Sequence, residues 1–323
     1  MTPDAPTTPG RGAGPDPAAP NAAAPSPAGP SPAAPNPTPP NATAPSPAAP
    51  NVTDPVDAGK DAARPVLAHL PVVELRASWR RALAAEAVRL TSTRSLRWTL
   101  VAFAVVTPVI AVFVALTGSL QPDDTVMGGS LTAAPLAQIV AAALGAVVMT
   151  GEYSTGTVRP TFAAMPRRGT VLAAKAAVVA AAVFVAGLGS SVAAFAIGSV
   201  LLSGDGYATG EPFPALVGVA GSFAALAVLG LAVGALLRHS AGAIAAVVGV
   251  VLLPPLLAPI FGDAQRWIAG ASPTAALKKM TQTSDAAPDV VGSLGAWPSL
   301  ALVAGYTAIV VAAAGLTLRA RDV

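Results

Sequence analysis

From Pro214 to Leu237 the chain reads PALVGVAGSFAALAVLGLAVGALL, a run with no Asp, Glu, Lys, Arg or His. A helix rises 1.5 Å per residue, so a run of this length crosses a bilayer core of about 30 Å. Five more such runs occur, at Trp98–Thr117, Leu131–Thr150, Ala176–Leu202, Ala241–Phe261 and Trp297–Leu318. All five are equally free of ionisable residues. Hydrophobic residues make up 53% of the 323 residues and charged ones 11%, against about 25% charged in an ordinary soluble domain. Mean hydropathy is +0.62. Such a chain lacks the polar surface that water requires. Six transmembrane helices are therefore expected, in an all-α membrane protein. Pro254, Pro255 and Pro259 predict a kink or break in the outer half of the fifth span.

Outward from these runs the composition changes. Residues 1–65 hold 19 of the 33 prolines, mixed with Ala, Ser, Asn and Thr. Prolines at that density stop helix and sheet alike, and the segment reads as a disordered Pro/Ala-rich tail. PNAAAPSPAGP from Pro20 and PNATAPSPAAP from Pro40 repeat without an apolar face, which is low complexity. Between tail and first span, residues 66–97 contain Leu75, Trp79, Leu83, Ala87 and Leu90, flanked by Arg76, Arg80, Arg81 and Arg89. Spacings of four, four, four and three put the apolar set on one face of an interfacial amphipathic helix. Residues 98–323 then form the six-span domain.

The basic residues set the expected orientation. After residue 65 there are sixteen Lys and Arg, of which thirteen fall on one side of the six spans. Only Arg266, Lys278 and Lys279 fall on the other. The positive-inside rule then puts both termini in the cytoplasm and the molecule in the cell membrane. A basic chain of this kind is no evidence for nucleic-acid binding, because its net charge of +3 is spread around the spans.

Chemistry is scarce. The chain has no cysteine, and its two histidines, His69 and His239, are far apart, which leaves little for a metal site. Ser190 and Ser191 have no His or Lys at membrane depth to activate them. No HExxH and no phosphate-cradling GxxxxGK[ST] occurs. Gln138 is the one strongly polar side chain in the spans, so an ion-coupled secondary transporter would lack its commonest groups. No catalytic, cofactor-binding or metal-ligating residue is expected in this chain.

Two stretches carry more information. Before the first span the chain runs EAVRLTSTRS from Glu86 to Ser95, and after the second GEYSTGTVRPTF from Gly151 to Phe162, followed by Met165-Pro166-Arg167-Arg168 and Ala174-Lys175. In these motifs residues 74–323 resemble bacterial type-2 ABC transporter permeases, the membrane subunits of ATP-driven exporters. The resemblance implies a permease that forms the substrate pathway and is not itself an enzyme. ATP and Mg would be bound by a separate ABC ATP-binding subunit. It also implies pairing with a second permease, as a homodimer or heterodimer. The implied contact with the ATPase subunit comprises Glu86, Arg89, Arg94, Glu152, Tyr153, Gly156, Arg159, Pro166, Arg167, Arg168 and Lys175. Read without the resemblance, the same basic residues are anchors to lipid phosphates. The alternative function is a stand-alone membrane channel, secondary transporter or scaffold. Beyond the fifth span, Gln265–Ile268 and Ala275–Met280 read as two short helices around Ser272-Pro273, and the resemblance implies a helical hairpin there.

Overall fold

A computed structural model describes residues 79–320, apart from 121, 157–167, 203, 205 and 285. The tail expected over 1–65, and Leu75 at the start of the interfacial helix, lie outside the described residues. The described residues belong to one compact unit and are helical throughout, without strands. Six of the helices are long and apolar enough to cross a membrane, which makes this an all-α, multi-pass membrane protein.

A short helix, α1 (Trp79–Ser92), precedes the spans. The first span is α2 (Arg94–Thr117). A single turn, α3 (Val126–Ser130), leads into the second, α4 (Ala134–Ser154). The third, α5 (Arg168–Leu201), has 34 residues. The fourth is α6 (Pro212–Leu237) and the fifth α7 (Ser240–Leu257), which continues as a 3-10 segment, Ala258–Ala264. Two short helices, α8 (Gln265–Gly270) and α9 (Pro273–Thr281), and one turn, α10 (Pro288–Val291), precede the sixth span, α11 (Ala296–Ala320).

The centre of the bundle is the α4–α6 pair. In α6, 67% of the apolar window is buried and in α4 56%, against 17–22% in α2, α7 and α11. In lipid, helices associate through close packing rather than by escaping water, so small residues decide which pairs touch. A methyl group built on Gly145 would lie 1.7 Å from the Ala227 carbonyl oxygen, and one on Gly230 2.0 Å from that of Ala142. Only hydrogen fits in those gaps. Gly230 and Gly234, four residues apart on one face of α6, are both spent inside the chain, against α4. Phe103 of α2 meets Phe223 of α6 edge-on, with ring centroids 5.4 Å apart.

The double proline in α7 bends the expectation of a break. Helical geometry persists through Pro254 and Pro255 to Leu257 before the 3-10 turn begins. Pro255 has no N–H to offer the carbonyl of Val251, one turn back. That carbonyl instead accepts the Thr274 hydroxyl of α9, at 2.9 Å. The hairpin between the fifth and sixth spans follows its local code: Ser272 caps α9 by accepting from Ala275 N at 3.0 Å, and Pro273 stands in the first turn. Gln138 of α4 donates to the Pro273 carbonyl at 3.2 Å. The hairpin is therefore sunk into the bundle, with Ala276 and Leu277 fully buried. Around it, Gln282 brackets the backbone of Glu211 through both its amide atoms, and Asp124 accepts from Ser284 N at 3.1 Å.

Candidate functional site

At the other end of the bundle lies a cluster of four charges. Glu86 and Arg89 come from α1, one helical turn apart and so on one face. Glu152 stands in the last turn of α4, and Lys175 in the third turn of α5. The Lys175 ammonium donates to Glu86 Oε2 and, at 2.5 Å, to Glu152 Oε1. Arg89 Nη1 reaches the same Glu152 oxygen at 2.7 Å. Two cations and two carboxylates cancel. Balance matters because Lys175 and Glu152 are buried, at 2% and 5% exposure, and an unpaired ion at such depth costs several kcal/mol, on the order of 3–5.

The cluster has a mechanical meaning. Glu86 and Arg89 attach α1 to the ends of the second and third spans, and a cavity of about 250 Å³ lies between them, with Thr93, Ser95 and Gly151 on its walls. A second contact stands beside it. The Arg238 guanidinium, at the αL cap that ends α6, lies 5.4 Å from the centroid of the Tyr153 ring, within cation–π range. His239 next to it caps α7, its Nδ1 accepting from Gly242 N at 3.1 Å.

Four of the expected contact residues, Glu86, Arg89, Glu152 and Lys175, thus meet one another. Tyr153 follows Glu152, and its ring meets Arg238, a residue outside the expected contact set. Its one local signal was its place at the end of an apolar run. Arg94 and Gly156 are exposed near the same end, the latter in a left-handed turn at φ 69°. Arg159, Pro166 and Arg167 lie outside the described residues, while Arg168 opens α5.

Two expectations need correction. Lys175 was placed in a loop with its ammonium turned to a soluble partner, yet it is helical, buried and paired within the chain. The helix starts eight residues before the apolar run, at Arg168, because the two carboxylates make a buried lysine tolerable. The packed face of α1 is also rotated from the expected one. Ala82 is buried and Leu83, Glu86 and Leu90 are half-buried, whereas Trp79 and Ala87 are exposed. Glu86 has moved the face toward Lys175.

No family model and no curated protein matches the chain.

Proposed function

We propose that this chain is the permease subunit of an ATP-driven exporter, forming the substrate pathway while a separate ABC subunit binds and hydrolyses ATP. The observation that carries the reading is the Glu86–Arg89–Glu152–Lys175 cluster. A pump driven from outside needs a joint between the element that is pushed and the spans that move. Here a surface helix is joined by buried ion pairs to two spans, and the joint is formed by residues of the two motifs that resemble type-2 ABC permeases. Arg94, exposed near it, and the basic residues of the second motif, Arg159, Arg167 and Arg168, supply the contact to the partner. The internal ion pairs pass its motion on. The basic bias puts this end in the cytoplasm of a cell membrane, with both termini inside. Six spans are half of a family transporter, so a second permease, like or unlike, completes the pathway.

The test is co-purification from the native membrane. The full chain should bring down a subunit bearing a Walker-type phosphate loop, and Arg167→Ala with Arg168→Ala should lose it while the permease stays inserted. Charged interface contacts are worth about 2–5 kcal/mol, a loss of at least thirtyfold in affinity. Recovery of the chain without any such subunit overturns the proposal.

A further inference from the structure

A second cavity at the α1 end, of about 530 Å³, lies between α5 and α11 and is unrelated to the ion cluster. Its walls are Leu172, Val311 and Gly315, with Trp79 of α1 at its rim. The Arg319 guanidinium closes one end, over the first turn of α5, where a methyl built on Gly169 would come within 3.2 Å of Nη2. Among the described residues no carboxylate pairs with Arg319. Leu316, also on the wall, is 64% exposed, so the cavity opens sideways, where acyl chains surround a membrane helix. Exposed Arg80 and Arg81 follow Trp79 on α1.

This combination selects its occupant by chemistry. A slot with apolar walls suits an acyl chain, a guanidinium at its polar end suits a phosphate, and a rim tryptophan marks headgroup depth. Basic pockets between spans recruit anionic headgroups for the same reason. We propose that the slot binds one anionic glycerophospholipid, its chain along Leu172, Val311 and Gly315 and its phosphate on Arg319. Placed there, the lipid fills the gap between the third and sixth spans and touches α1 at Trp79. The inference rests on the chain lying in a membrane and is independent of the exporter reading.

Native mass spectrometry of the full detergent-solubilised chain, offered equal amounts of phosphatidylglycerol and phosphatidylcholine, tests it. Wild type should retain one phosphatidylglycerol with about fivefold preference, the equivalent of about 1 kcal/mol per basic residue at an anionic headgroup. Arg319→Gln should bring the two lipids to parity. Gly315→Leu should displace both, because a methyl at Gly315 meets only Leu172, at 4.0 Å, and a longer side chain grows into the slot. Parity in wild type, or preference surviving in Arg319→Gln, overturns the proposal. So does equal retention of glycerol 3-phosphate alone, which means a phosphate site without a chain, or a second copy of the protein found in place of lipid. Each of these results leaves recovery of the ATP-binding subunit unaffected, so the two proposals fail separately.

Discussion

The two ends of the bundle are held together in opposite ways. At the α1 end, helices are joined through long charged side chains, Glu86, Arg89, Glu152 and Lys175, that meet at their tips. At the hairpin end, short neutral side chains reach backbone carbonyls, as Thr274 does to Val251 and Gln138 to Pro273. Backbone hydrogen bonds fix position closely and are lost with small displacements. Ion pairs on long stems tolerate sliding and rotation while keeping most of their attraction. The α1 end is built to move as a linked set and the hairpin end to stay in register. That asymmetry suits the exporter proposed above, which would be driven from one side.

Three tests sharpen the contrast, beginning with the largest effect. Lys175→Met leaves Glu86 and Glu152 facing each other at depth and should cost about 3–5 kcal/mol, read as a lowered thermal midpoint in detergent. Adding Glu86→Gln and Glu152→Gln to that variant should restore most of the midpoint, because the burial penalty leaves with the charges. If the triple variant is no better than the single one, the cluster is not an electrostatic joint. At the other end, Thr274→Val keeps the side-chain shape but orphans the Val251 carbonyl, for about 1–3 kcal/mol. Hydrogen exchange should rise locally in α9 and the end of α7, and a change confined to α1 would contradict the separation of the two ends. The smallest effect belongs to Ser272→Ala, which removes one helix cap worth about 1 kcal/mol. It should shift the midpoint slightly and leave the α1 end untouched.

All six spans were legible from the sequence, because a bilayer demands about twenty uncharged residues in a row and little else satisfies that demand. Ser272-Pro273 announced the hairpin just as plainly, since the cap and the first-turn proline act within four residues. Lys175 was hard to place for the converse reason. Hydropathy assigns a lysine to the loop, and the carboxylate that brings it inside, on Glu86, is 89 residues away. The rotation of α1 has the same cause, because apolar periodicity cannot register a glutamate whose partner is on another helix. Proline strain in α7 was visible, but not the Thr274 hydroxyl that absorbs it. Local rules set the elements, and long-range pairing set the joint.

That 89-residue separation also sets an order of events during synthesis. When Glu86 and Arg89 leave the ribosome, neither Glu152 nor Lys175 exists. Glu152 arrives with the second span, and Lys175 only once the chain has turned back to begin the third. Until then α1 is held to the spans by the short link to α2 and the Arg89–Glu152 pair, and the Glu86 carboxylate awaits its cation. Domains assemble from the N-terminus as the chain lengthens, so the joint closes fully only once the third span has begun.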